Sequence, residues 1–575
     1  MALIYYALVA IALVVIASIR RQNASSSQNA PFPKGPKPIP YLGNLHQIPL
    51  KKAFLAFTSW SRSPSTSTPD GIVGLQLGPK SRIVVLNKWT QVRDLFDSRG
   101  KGAIYSDRPY LPIADYVIPS PGPELHLVFA RYGATWRKER RTIVDFLSEK
   151  EMESVVSIQD AESSQMMWEL LGLRGGGGTA AELTAYHRYV LRYFGAVILA
   201  SVFGVRGKDS DAKSRVGRFF SVQDEWAGIL DQGQTPPLDI FPWLKNVPDF
   251  LTPWKGWRER AKFLRTRQKR LYRDLLAETQ ARLKAGKSED CFMGKLIINQ
   301  KAAVDSGRAK DIYTEQELDY IGGFLMEGGA DTTTMAFETF LLAMAANPDL
   351  QKQAQEEIDQ VFGQDEMPHT ADGKKLPFLK ACFLEALRWR PPFPIGIPHA
   401  NTAEDVYQGS LVPKGTTVIA NVWAISHNPE DFDDPDSFIP SRYLADRFGC
   451  RTKETNAGST QAGDGIDTDA LNAAAEVSSS GRRQTYAFGA GRRVCAGQRM
   501  AENNSMMTMA KLIWSFEVVY GGDGKPDVDV QSAYRDSILT GPKVFPVRFV
   551  LRSEAKRDVI RKEWEKADQF LSKFE

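Results

Sequence analysis

Cysteine is scarce in this chain. Cys291, Cys382, Cys450 and Cys495 are the only four in 575 residues, far apart and without metal-ligand spacing. That spacing excludes a disulfide framework and suits a catalytic domain in a reducing compartment. Charge of one sign is lacking as well. With 73 Lys and Arg against 68 Asp and Glu, the net charge of +5 gives no reason to expect nucleic acid as a partner. No glycine-rich dinucleotide fingerprint stands between a strand pattern and a helix pattern, and no flavin-like extra domain is present. Any redox chemistry here draws its electrons from a separate protein. What remains is an ordinary globular balance, 43% hydrophobic and 25% charged, with ample material for a large core.

Ala2 to Ile19 is uncharged and almost wholly apolar, and Arg20 and Arg21 follow it. That length is near the minimum for a membrane-spanning helix, and the basic residues after the run put the rest of the chain on the cytosolic side. A cleaved signal peptide would carry its charge before the run and a small-residue site after it. The expectation is therefore an uncleaved anchor over 1–19. A spacer and a proline-rich hinge follow over 20–40, where Pro31-Phe32-Pro33-Lys34-Gly35-Pro36-Lys37-Pro38-Ile39-Pro40 enforces an extended, stiff connector.

The most informative stretch is Phe488-Gly489-Ala490-Gly491-Arg492-Arg493-Val494-Cys495-Ala496-Gly497, with a long helical pattern immediately after it. Loop N–H groups and the positive end of the next helix favour a thiolate at Cys495. Gly497 lets the backbone approach something flat, and Arg493 is placed to pair with an acidic group on it. Haem fits this description, since its iron takes an axial thiolate and its propionates need cations. An isolated cysteine of this kind reads first as buried and inert. Here Phe488, Gly491, Arg493, Cys495 and Gly497 are fixed together, and the ten residues closely resemble the haem-binding loop of the cytochrome P450 family.

Four further signatures stand in that family's order. Trp136 and Arg140 share one helical face, and the resemblance implies that both reach a haem propionate. Thr314-Glu315-Gln316-Glu317 is a capping box opening a helix that runs to Asn347-Pro348. At ~1.5 Å per residue it spans about 48 Å. Its centre, Gly328-Gly329-Ala330-Asp331-Thr332-Thr333, is a poor helix former, which predicts a local opening of the hydrogen-bond ladder. A threonine bonding back to its own helix is the plain alternative for Thr332. The match to the family's oxygen-activating segment favours proton delivery by Asp331 and Thr332. Glu385 and Arg388 form an i,i+3 pair among Leu384, Leu387 and Trp389, and burial there demands full pairing. The family pattern supplies a third member, Arg442, although Ser441 stands where a glutamate is common. His399 corresponds by position to a propionate-binding residue.

The resemblance covers about Pro31 to Arg552. It implies a mainly α fold with small β-sheets, and haem lying between a long central helix and the cysteine-ligand loop. The catalytic domain is expected over 41–552, with a flexible insertion at 451–484 and a charged tail at 553–575. Glycine-rich Gly175–Gly178 reads as a loop. The apolar stretch from Trp226 through Phe241 reads equally as loop packing or as a lid over the pocket that also touches membrane. Phe324, Gly328, Gly329, Phe393, Ile395, Ile397, Ile538 and Leu539 are the expected pocket residues, which suits a lipophilic substrate.

The implied activity is insertion of one oxygen atom from O2 by a haem b enzyme of the microsomal type. Electrons come from an NADPH-dependent reductase, with cytochrome b5 as a second donor, and the location implied is the endoplasmic reticulum membrane. Docking is expected on the Arg137/Lys138/Arg141 and Arg482/Arg483/Arg492 side. The hinge, lid and insertion have the look of a fungal secondary-metabolism or detoxification enzyme. A haem-thiolate isomerase or dehydratase and a non-catalytic haem sensor are the alternatives. Asp331 and Thr332 argue against the isomerase or dehydratase, and a sensor would not need them.

Overall fold

The computed structural model describes residues 30–173, 179–307, 312–369, 374–451 and 476–575. The apolar segment 1–19, the spacer to residue 29, Gly175–Gly178 and most of the 451–484 insertion lie outside the described residues. The helices that position the site are, in chain order, α1 (Ala134–Phe146), α2 (Glu149–Leu171), α3 (Tyr186–Ile198), α4 (Arg215–Leu230), α5 (Trp257–Lys284), α6 (Glu315–Ala346), α7 (Pro377–Trp389), α8 (Gln498–Ser515) and α9 (Glu554–Leu571).

Helix α6 is the axis of the core. Its capping box forms as the sequence predicts: Glu317 N donates to Thr314 Oγ1 at 3.2 Å and Thr314 N to the Glu317 carboxylate at 2.6 Å. From Leu318 to Ala345 nearly every residue is buried, against α3, α5, α7 and α8. The helix also differs from expectation. It runs unbroken through Gly328-Gly329, because Thr332, Thr333 and Thr334 donate to the carbonyls of Gly328, Gly329 and Ala330 at 3.0, 3.2 and 2.9 Å. The carbonyls that weak helix formers would leave loose gain a second donor each.

The sheets gather at one side. Strands β1 (Val73–Leu77) and β2 (Ser81–Leu86) pair antiparallel with Leu77 opposite Ser81, so Gly78-Pro79-Lys80 makes the turn. Next come β3 (His399–Ala400), β4 (Asp405–Tyr407), β5 (Ser410–Val412) and β6 (Thr417–Ala420). The main sheet has the order β1-β2-β6-β3, while β4 and β5 form a hairpin, as do β7 (Phe516–Tyr520) and β8 (Val547–Leu551). Register places His399 opposite Val418, which carries the histidine to the sheet's inner end. The proline-rich hinge lies along β1. Gly74 N donates to Lys34 O at 2.9 Å, and a Cβ on Gly74 would meet Pro33 O at 2.1 Å. Only glycine permits that approach.

The charged tail is an integral helix. Ser553 caps α9, which packs on α2 and buries Ile560, Ala567 and Leu571 at spacings of seven and four. Lys556 is fully buried, its ammonium on Trp514 O at 2.9 Å.

Candidate active site

A cavity of about 340 Å³ opens between α6 and the loop that precedes α8. The loop is folded tightly under it. Cys495 N donates to Phe488 O at 2.8 Å, and Gly491 takes a left-handed φ of +67° where a Cβ would lie 2.6 Å from Phe96 O. Asp97 holds this turn from below, accepting from Gly491 N at 2.8 Å and pairing with buried Arg483. Phe488, Cys495 and Gly497 all line the cavity, and Cys495 is accessible from it. Burial pushes the Cys495 thiol up; the Gly497 N–H and the Arg140 charge pull the other way.

From α6, Phe324, Gly328, Gly329 and Thr332 line the same space. The two glycines serve different ends. A Cβ on Gly328 would meet nothing closer than Phe324 at 3.9 Å, so its bare backbone faces the cavity. On Gly329 it would strike Ile198 of α3 at 2.5 Å, so this glycine is needed for helix packing. Asp331 is not among the lining residues. It points toward α4, where Gln223 hydrogen-bonds it, and burial with repulsion from Asp224 raises its carboxyl to about 6. Gln223 itself lines the cavity and Asp224 is exposed, so a carboxylate at the surface and one in the core flank a single amide.

One edge of the cavity is cationic. Trp136 and Arg140 reach it from α1, with His399 and Arg493 beside them. Arg140 donates to Val494 O at 2.5 Å; Arg493 donates to the carbonyls of Ser106, Leu127 and Ala130 and lies 4.4 Å from the Trp136 ring centroid. Arg108, which sequence reasoning passed over in a proline-rich stretch, donates to Val128, Ile397 and Pro398 and lines the cavity too. Burial lowers all three guanidiniums, Arg493 to about 9 with Asp107 opposing the fall, and Arg108 further through Arg493 beside it. His399 is buried, bonded through Nδ1 to Tyr105 O at 2.7 Å and stacked on Phe96; burial and then Arg108 hold it neutral. Guanidiniums hydrogen-bonded to backbone carbonyls form an edge suited to an anionic ligand.

The remaining expectations divide. Phe393, Ile397, Ile538 and Leu539 line the cavity. Ile395 does not; it packs between two apolar clusters, because Gly396 turns the chain there with φ +59°. Glu385, 0% exposed, binds Arg388 through both oxygens at 2.7 Å and Arg442 Nε at 3.2 Å. Ser441 does not disturb that triad. The expected docking surface needs correction. Arg482 and Arg483 are buried, paired with Asp431 and Asp97, and Lys138 is tied to Ile312 O and the Tyr313 ring. Arg137 and Arg141 stay exposed. Among the described residues no helix is long and apolar enough to cross a membrane.

Known proteins resemble this chain over nearly its whole length. The cytochrome P450 family model matches residues 33–549. The chain is 32% identical to the cytochrome P450 monooxygenase patH of Aspergillus clavatus, over 97% of this chain and 96% of that one. It is 30% identical to the cytochrome P450 monooxygenase atE of Aspergillus terreus, over 95% and 92%. A zebra fish cytochrome P450 solved with progesterone superposes with a TM-score of 0.65 at 22% identity, covering 87% of this chain and 99% of that one, which supports the fold alone. The chain belongs to the cytochrome P450 family and is a P450 monooxygenase.

Proposed function

We propose that the cavity holds haem b through Cys495, with Trp136, Arg108, Arg140, Arg493 and His399 on its propionates, and that a lipophilic substrate is hydroxylated or epoxidised beside Thr332. The observation that carries this is the cationic edge of Arg108, Arg140 and Arg493, hydrogen-bonded to backbone carbonyls, in the cavity that Cys495 and Thr332 both line. Those residues fit haem: a sulfur ligand, cations for two acids, and bare backbone at Gly497 and Gly328. When bound, haem supplies reductive activation of O2 and the oxidant that inserts one oxygen atom.

The chain's own part is to place protons and keep water out. Asp331, with its carboxyl at about 6, carries a proton part of the time near neutral pH and exchanges it with solvent past Gln223 and Asp224. Thr332 Oγ1, now donating to Gly328 O, turns that hydrogen bond toward the cavity and passes the proton on. Apolar walls from Phe324, Phe393, Ile397 and Leu539 exclude other water. Electrons arrive from an NADPH-dependent reductase, with cytochrome b5 as an alternative donor, docked over exposed Arg137 and Arg141. Reconstitution with reductase and NADPH tests this. Thr332→Ala should keep NADPH consumption but divert most of it to hydrogen peroxide; coupled turnover at the wild-type level would refute the assignment of Thr332.

The domain reading places an anchor at 1–19 in the endoplasmic reticulum membrane and the catalytic domain over 41–552. Support comes from exposed apolar side chains: Leu50, Trp243, Phe250 and Leu251 are 54–75% exposed, and Tyr41, next to the hinge, stacks on Phe241. A chain lacking residues 1–29 should still partition onto lipid vesicles, and Phe250→Ser with Leu251→Ser should abolish that residual binding.

A further inference from the structure

One polar cluster of the cavity is used neither by the haem edge nor by proton delivery. His126 and Glu327 both line the cavity and both are buried, at 2% and 8% exposure. Glu327 is fixed on α6. Its Oε1 accepts from Tyr272 OH and from Gln268 Nε2 at 3.3 Å, both on α5. His126 Nε2 lies 2.9 Å from its Oε2. With Nε2–H donating to the carboxylate, the ring's Nδ1 is left as an acceptor, and it has no partner among the described residues. The rings of Phe129 and Phe324 flank it, at centroid distances of 4.8 and 5.5 Å.

We propose that His126, oriented by Glu327, is the polar anchor of the substrate pocket, and that the preferred substrate is a lipophilic molecule whose hydroxyl, alcoholic or phenolic, donates to Nδ1. Nδ1 is covered by protein atoms in this state, so the hydroxyl reaches it through a rotamer shift of Phe129 or Phe324. An unmet buried acceptor is costly, and a ligand that meets it gains what a purely apolar one cannot.

This rests on the reading of the cavity as the substrate pocket, and calorimetric titration of the haem-loaded full chain tests it without turnover. Absence of oxygen-dependent product would count against the functional reading and leave the titration untouched. The probes are 2-naphthol, naphthalene and methyl 2-naphthyl ketone. In the wild type, 2-naphthol should bind about fivefold tighter than naphthalene, as one net hydrogen bond gives. His126→Phe should bring that ratio to about one while naphthalene binding stays within twofold. Glu327→Gln presents an amide N–H to Nε2 and so reverses the tautomer, making Nδ1 a donor. Its preference should move from the naphthol to the ketone, which a merely structural role would not produce. A wild-type ratio of one overturns the proposal, as does a ratio that survives in folded His126→Phe. Should that variant fail to fold, an unchanged naphthol preference in Glu327→Gln does the same.

Discussion

Two sets of buried and half-buried arginines in this molecule are handled in opposite ways. At the end of α7, Arg388 and Arg442 share the carboxylate of Glu385, which also accepts from Ile439 N at 2.8 Å. At the cavity edge, Arg108, Arg140 and Arg493 meet backbone carbonyls instead, and burial lowers each of them. Carbonyl dipoles satisfy hydrogen bonds but do not neutralise charge. The first set has its anion built into the fold; the second rests on carbonyls, with Asp107 only partly offsetting its charge, and an anionic ligand would relieve it. Stability and ligand affinity should therefore respond differently to the same kind of substitution.

The largest effect is expected at the completed set. Glu385→Gln leaves two guanidiniums without their anion and should cost roughly 3 to 5 kcal/mol by chemical denaturation, enough to unfold much of the protein. A loss below about 1 kcal/mol would erase the distinction between the two sets.

Asp331 extends the contrast to the opposite charge. Its folded carboxyl sits at about 6, against an ordinary value near 4. Between those values the folded chain keeps a proton that the unfolded chain has lost. Stability should thus fall by up to about 3 kcal/mol as pH rises from about 4 to 6, then level off. Asp331→Asn should flatten that part of the profile, measured as thermal midpoint against pH.

Arg493→Leu separates the roles further. The haem-free protein loses three carbonyl partners along with a poorly compensated charge, so its stability should change by no more than about 1 kcal/mol, while haem affinity falls about tenfold, read by transfer of haem to an apoglobin. Equal losses in both would mean that Arg493 is structural. The smallest effect belongs to the surface. Arg137→Ala should leave stability within about 0.5 kcal/mol and weaken only the salt-sensitive part of reductase-supported turnover, visible as a shallower ionic-strength profile.

The features legible in the sequence were local ones. The capping box of α6, the proline that stops it, the Gly78-Pro79-Lys80 hairpin and the i,i+3 spacing of Glu385 and Arg388 each depend on residues a few positions apart. The Cys495 loop belongs with them, since its turn is written in its own glycines. What escaped was set by distant partners. Arg482 and Arg483 look like a solvated basic pair, and only the fold brings Asp431 and Asp97 to them. Arg108 gave no spacing to read, because its partners are carbonyls at 128, 397 and 398. His126 and Glu327 stand 201 positions apart. The charge of the tail hides three apolar residues on one stripe.

Asp97 has a further consequence, for the order in which the site is assembled. Its contact with Gly491 joins positions separated by 394 residues. Closing so long a loop costs chain entropy before the contact returns anything, so it forms late in folding, on a chain already compact. The segment bearing Cys495 should then be among the last to settle. A folding chain would build its helical body while the loop that carries Cys495 is still open.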